Sequence, residues 1–581
     1  MGTISDKLIR IINTKEDIRQ ALISKGYDVP TSIPFKEYAK MILDLPCNAD
    51  SFPDIEGIVA RYSASGLTNE QMAANPVWVD KTGNGHDLQL KNFSWKGMSG
   101  IGGYVVDIDE WGTNSTAAYY ERNSIKITAT FKENAPLGLL YHNIKLRQSC
   151  VLKVTGIPEG CDAFLDDRLG NRFYMSEDGV YEIIPSNFLA EALYLSIEKY
   201  PERWYGSKLT IEQLPLYPGF ILGDGVDDFA VTEKELNFED TYTVYTAFIP
   251  FQNNPTRNMI LCGADSKKTF SMQYSSLVYV SFIAGNNYYI NADFVNGLNL
   301  FACKRNGNNI CIKNLLTNKV VTGTCGDWVE NAGLYYLWRN ATYASFAKTA
   351  IAGQTICNGY FSTDEDDEKV LDWYKKQYPW LFPDQAWTMV GKTNEDKDRA
   401  TIANITGNGN NLVLSNFGFA EGSGYNEEGE YAGYLVTDGV DDKIVSSSFG
   451  MGKDFTVVGE WRFIIDERKV AGLIKPPSFY LFNENNGLKL FINNTEKSSS
   501  LNTKSLKAIC SDGRVYFDDW SEMLLSEEQP ITSSSKDLSI GYNSTIYTQM
   551  AFKNLGIYND QLLSKDECIK AYNYLQNIKS K

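Results

Sequence analysis

The chain has 581 residues, 43% of them apolar, 22% charged and 13% aromatic, with 55 basic against 72 acidic side chains and a net charge of −17. That aromatic content excludes bulk disorder, and the acidic balance argues against nucleic acid as a partner, because phosphate is repelled. Two histidines, His86 and His142, leave almost no material for a Ser-His-Asp site or a multi-histidine zinc site.

Residues 1–49 read as a short helical module. Ile4, Leu8 and Ile11 recur at helical spacing, Ile18 and Leu22 continue the pattern up to Gly26, and Phe35 and Tyr38 line a third short helix after the break at Val29-Pro30. So short a segment buries little surface alone, so it is expected to dock on copies of itself or on another protein. Met1-Gly2-Thr3-Ile4 opens no signal peptide, and no run of about 18 apolar residues predicts a membrane span. The ten cysteines form no CxxC pair and read as buried thiols made in a reducing cytosol.

Beyond residue 50 the chain turns to short β-branched and aromatic runs between Asn, Gly and Asp turns. Tyr242–Ile249 and Phe455–Trp461 are examples. An internal repeat organises them. Thr82-Gly-Asn-Gly-His-Asp-Leu-Gln-Leu-Lys-Asn-Phe93 matches Thr406-Gly-Asn-Gly-Asn-Asn-Leu-Val-Leu-Ser-Asn-Phe417. Thr68-Asn-Glu70 returns as Thr393-Asn-Glu395, and Asp224-Gly-Val-Asp-Asp228 as Asp438-Gly-Val-Asp-Asp442. Each copy closes on a helix-like segment, Asp364–Tyr378 and Ser564–Gln576. Thr82 and Asp224 lie 142 residues apart, Thr406 and Asp438 only 32. The first copy therefore holds about 110 extra residues, the size of a small domain. The predicted fold class is mainly β: the helical module, then two concanavalin-A-like jelly-roll sandwiches, the first carrying an inserted small β-sandwich. The boundaries are 1–49, 50–106 plus 217–382, 107–216 and 383–581. Strands of the insertion are read at Ser124–Phe131, Leu152–Pro158, Gly179–Pro185 and Leu209–Leu214.

The Asp-Gly pairs are turn signals. Their carboxylates, Asp224, Asp227 and Asp228 with Asp438, Asp441 and Asp442, also offer hard oxygens for calcium. Both readings stand: a turn fixed by its geometry, or a calcium or sugar site. The Thr-Gly-Asn-Gly stretches are turns rather than phosphate loops, since no GxxxxGK[ST] follows. The acidic run Asp364–Glu368 reads as a solvated helix start. Trp95, Trp111, Trp204, Trp328, Trp338 and Trp461 are either core or sugar-stacking residues. No catalytic residue and no cofactor is assigned.

The stretch Thr3-Ile-Ser-Asp-Lys-Leu8, with Thr14–Gly26 and Phe35–Ile42, resembles the N-terminal module of tail and head fibres of tailed phages. The repeated Asp-Gly-Val-Asp-Asp before an aromatic strand resembles laminin-G or concanavalin-A-like jelly rolls. Leu209–Gly219 running on to Asp224–Asp228 is similar to fibre proteins of phages infecting gut Bacteroidota, crAss-like phages included. The resemblance implies a virion protein made in the host cytoplasm and anchored by Ile4, Leu8, Ile11, Ile18, Leu22, Phe35 and Tyr38 to capsid or tail proteins. It also implies a homo-oligomer, as a trimer, with sandwiches facing host-surface glycans. Three alternatives stand beside this adhesive fibre: a ligand-free spacer or capsid decoration protein, a glycan depolymerase, and a bacterial surface protein that binds carbohydrate. A depolymerase fibre usually carries many evenly spaced β-helix repeats, and this chain has two of unequal length. A bacterial surface protein would normally carry an export signal.

Overall fold

The computed structural model describes residues 52–578 apart from short internal stretches, chiefly 252–257, 263–270, 284–288, 340–345, 472–478 and 525–533. The expected helical module and its anchoring residues, Ile4, Leu8, Ile11, Ile18, Leu22, Phe35 and Tyr38, lie outside the described residues. The chain is mainly β, as its composition predicts, and every strand ladder described is antiparallel.

Among the described residues three large apolar cores form, the second from a stretch inserted within the first. The first lies between two eight-stranded sheets and gathers Tyr62, Trp78, Tyr242, Phe301 and Trp338. The second, Val106 to Ile211, lies between two five-stranded sheets around Trp111, Tyr141 and Trp204. The third gathers Trp387, Trp461, Phe517 and Phe552.

The central strand of the first sandwich, Thr241–Pro250, is flanked by Asn299–Asn306 and Lys348–Asn358. All but its first residue are buried. One face packs on the opposing sheet, and the helix Asp364–Gln377 covers the other, with Tyr245 Oη donating to Asp367 Oδ1 at 2.9 Å. Burial on both faces removes the alternation of a half-exposed strand, so the segment reads as a continuous apolar run. The second sandwich repeats the plan. Phe455–Phe463 lies between Ser505–Cys510 and Met550–Asn559 under the C-terminal helix Lys565–Asn577. Both helices come close because a glycine beneath them leaves room. A Cβ on Gly353 would meet Tyr374 Oη at 2.9 Å, and one on Gly556 would meet Leu575 Cδ1 at 2.9 Å.

Both helices open on capping boxes, Thr363 with Asp366 and Ser564 with Glu567, each contributing about 1 kcal/mol. The acidic run at the first start is not merely solvated, as its composition suggested. Asp367 is buried, 2.8 Å from Lys304 Nζ and 3.0 Å from Lys313 Nζ. The described cysteines are free thiols, and burial pushes those of Cys150 and Cys357 up to about 12. No described helix is long and apolar enough to cross a membrane.

Candidate functional site

The residues that repeat along the chain make the same hydrogen bonds in both copies. In the first, Asn69 Nδ2 donates to Ile101 O and Asn69 Oδ1 accepts from Ile101 N. In the second, Asn394 clamps Tyr425 N and O in the same way. Asp80 Oδ1 accepts from the backbone of Arg61 and Thr82, and Asn404 Oδ1 from Ala386 and Thr406. The carbonyl of His86 accepts from Tyr62 Oη, and that of its counterpart Asn410 from Trp387 Nε1. The glycines of Thr-Gly-Asn-Gly, Gly83, Gly85, Gly407 and Gly409, all take positive φ, as a turn requires.

The two Asp-Gly-Val-Asp-Asp segments are closed turns of one geometry. Asp224 Oδ1 accepts from Val226 N at 2.7 Å, and Asp228 Oδ2 accepts from Asp224 N at 2.9 Å. The second turn repeats this with Asp438 and Val440 at 2.7 Å and with Asp442 and Asp438 at 2.7 Å. Gly225 and Gly439 sit at φ 80° and 73°, where a Cβ would strike Lys348 or Gln549 at 2.9 Å. Asn92 and Asn416 donate to the carbonyls of Asp227 and Asp441, tying each turn to the end of the strand that follows Thr-Gly-Asn-Gly.

In each turn three carboxylates offer one oxygen apiece within 4.8 Å of one another, at Asp224, Asp227 and Asp228 and at Asp438, Asp441 and Asp442. A hard cation takes such oxygens. The turns also consume them, since Asp224, Asp228, Asp438 and Asp442 each spend an oxygen on backbone amides. Burial pushes Asp228 up to about 7 against the pull of Ser99 and of the Asp224 amide. It pushes Asp442 to about 6 against the Asp438 amide and Ser423. Near neutral pH Asp228 is therefore about half protonated and Asp442 mostly ionised.

The tryptophans read as candidates for sugar stacking are mostly unavailable. Trp111, Trp204, Trp338 and Trp461 are buried in the cores, and a buried indole cannot meet a sugar ring. Trp95 packs partly buried against the first core, and Trp328 lies outside the described residues. His142 lies over Gly112 in the inserted sandwich.

A second cluster was not anticipated. It joins the inserted sandwich to the second sandwich. Glu182, on the strand Gly179–Ile183, accepts from Lys553 Nζ at 3.2 Å and from Tyr572 Oη at 2.7 Å. Tyr572 Oη also lies 2.7 Å from Glu460 Oε2, and Lys507 donates to Tyr572 Oη. Glu460 accepts further from Arg462 at 2.8 Å and from Gln576 at 3.2 Å. Burial works to raise Glu460, but the Lys507, Lys553 and Arg462 cations overcome it and hold the carboxyl well below the usual range. Beside the cluster lies a cavity of 290 Å³. Its charged lining groups, Glu182 and Lys553, are engaged with each other, so the arrangement works as a clamp. The sequence signal for it was Glu460 itself, a charge in the middle of an apolar central strand.

The C-terminal helix is the shared element of the three sandwiches. Tyr572 reaches Glu182 of the insertion and Glu460 of its own sandwich, and Tyr574 Oη accepts from Leu298 N of the first sandwich at 2.9 Å.

No protein-family model matches the chain, and no curated protein matches it. Among solved structures it is similar to the binding domain of botulinum neurotoxin serotype C1, at 11% identity and TM-score 0.25, covering 57% of this chain and 88% of that one. It is similar to the binding domain of botulinum neurotoxin DC in complex with SialylT, at 12% identity and TM-score 0.24, covering 56% and 87%. The Ca²⁺/Man2-bound exoplasmic domain of VIP36 matches at 9% identity and TM-score 0.20, covering 26% and 81%. Likeness at these scores carries no argument about function.

Proposed function

We propose that the chain is a virion structural protein, a head or tail fibre of a tailed phage. In this reading it adheres to host-surface glycans through its sandwiches and performs no reaction. It is made in the host cytoplasm, assembles as a trimer, and attaches to capsid or tail proteins through its N-terminal segment. The observation that carries the reading is the clamp among Glu182, Glu460, Lys507, Lys553 and Tyr572. It ties the inserted sandwich to the second one, and joined sandwiches can offer several surfaces at once to a repeating polymer. The N-terminal resemblance to phage fibres supports the attachment.

The test uses the purified full chain, fluorescently labelled, on gut Bacteroidota cells. It is expected to bind, and binding is expected to fall after periodate opens the vicinal diols of surface sugars. Light-scattering mass of the same sample is expected to be three times 65.3 kDa. Absence of binding to cells of any susceptible strain would sink adhesion and favour the spacer or decoration protein. A monomeric mass would sink the self-assembled fibre.

A further inference from the structure

The two sheets of the inserted sandwich face different surroundings. One contains Lys126–Phe131, Cys150–Thr155, Gly179–Ile183 and Lys208–Gln213 and turns Glu182 toward the second sandwich. Elsewhere its outer face carries Lys126, Lys208, a Thr128–Thr210 hydroxyl pair at 2.9 Å and the exposed Tyr119 ring, with Lys132 Nζ 4.8 Å from it. The other sheet runs Arg172–Met175, Asp162–Asp166, Ala192–Glu198, Gly138–Lys145.

On that second sheet Ala163, Leu165, Leu195 and Ile197 point into the core. Alternation then turns Phe164, Asp166, Arg172, Tyr174 and Tyr194 outward. Register sets Phe164 opposite Tyr174, and Asp166 between Arg172 and Tyr194. The Phe164 and Tyr174 rings lie 5.4 Å apart, and the Arg172 guanidinium lies 4.6 Å from the Phe164 ring. The Arg168 guanidinium lies 3.7 Å over Tyr194. Arg172 stands 3.9 Å from Asp166 and 3.7 Å from Glu198. Tyr174 is 45% exposed. Phe164 is itself buried against Tyr174 and the Arg172 guanidinium, whereas a solvated sheet face ordinarily reads polar.

We propose that this outer face is a saccharide-binding platform for a neutral glycan chain. A flat apolar ring takes the C–H face of a pyranose, while fixed guanidinium and carboxylate groups pair with its hydroxyls. Tyr174 supplies the open ring, and Arg172, Asp166 and Glu198 the polar edge. Around these rings the charges offset one another, with Arg168, Arg172 and Lys199 against Asp162, Asp166 and Glu198. The whole chain, at −17, repels polyanions, so the ligand is neutral. The assignment rests on the adhesive reading above and places it on the insertion rather than on the repeated turns.

The test is affinity electrophoresis of the full chain through native gels cast with yeast mannan, dextran or arabinogalactan, and with alginate as the anionic control. The wild type is expected to be retarded in at least one neutral gel. Tyr174→Ala and Arg172→Ala are each expected to weaken that retardation about tenfold, the size of one well-placed contact of about 1.4 kcal/mol. Tyr119→Ala, exposed on the other sheet, is expected to change nothing, and near-ultraviolet dichroism checks that each variant is folded. Retardation that survives Tyr174→Ala combined with Arg172→Ala overturns the platform and leaves adhesion standing elsewhere. Retardation by alginate alone overturns the neutral ligand. No retardation in any gel overturns the platform as a saccharide site. In that case the cell-binding assay still decides the adhesive reading separately.

Discussion

Replacing Glu182 by alanine should loosen the inserted sandwich without unfolding it. Glu182 belongs to no core: its carboxylate faces Lys553 and Tyr572, both of the second sandwich. Tyr572 keeps Glu460 as a partner, and so does Lys507, at 3.4 Å. Lys553, with its side chain only 10% exposed, loses its hydrogen-bonded carboxylate. Removing one partner of a buried pair costs about 3–5 kcal/mol, because the other charge is stranded. Glu182→Gln keeps one acceptor and should cost about half of that. The loss falls on the junction, so backbone amides of Gly179–Ile183 and of the C-terminal helix should exchange with deuterium faster. The three cores should keep their protection. Scattering should show a wider spread of inserted-sandwich positions. Unchanged exchange at the junction in Glu182→Ala would refute the clamp as the element that ties the inserted sandwich to the second one.

Three further outcomes are expected. Asn69→Ala and Asn394→Ala each remove two backbone bonds and strand an amide and a carbonyl, so each should cost about 2–3 kcal/mol in urea unfolding; equal costs would mark the two residues as one device, and no cost at either would contradict it. Asp228 and Asp442 hold their protons more tightly folded than unfolded, at about 7 and about 6, so stability from these groups falls as pH rises from about 4 through those values. Asp228→Asn and Asp442→Asn should therefore gain on the wild type between about pH 5 and pH 8, by a few kcal/mol at most, and a difference flat with pH would sink this. Exchanging calcium for a chelator at neutral pH should move the thermal midpoint by less than about 2 °C, a fraction of 1 kcal/mol; a larger shift that vanishes in Asp227→Ala or Asp441→Ala would make the turns cation sites.

The architecture was largely legible because its landmarks are backbone clamps. Residues such as Asn69, Asn394, Asp224 and Asp438 hold main chain in place, so the same fold needs them at the same points in both copies. The four insertion strands read in the sequence all belong to the sheet that docks on the second sandwich. The other sheet was missed for a physical reason. Phe164, Tyr174 and Tyr194 put rings on its outer face, so Asp162–Asp166 and Arg172–Met175 lack the apolar–polar alternation that marks a half-exposed strand. The same rings make it the surface of interest. The tryptophans misled because a large indole fills a sandwich core as readily as it stacks on a sugar. The clamp was illegible because Glu182 and Glu460 lie 278 positions apart, and only the tertiary fold brings them to one phenol.

The most direct measurement is immunogold electron microscopy of tailed phage particles from gut Bacteroidota cultures, using antibody raised against the full chain. The account predicts gold on fibres projecting from the head or tail, and antibody that blocks adsorption to host cells. Particles that carry no gold, from a culture whose phage encodes this chain, would contradict it.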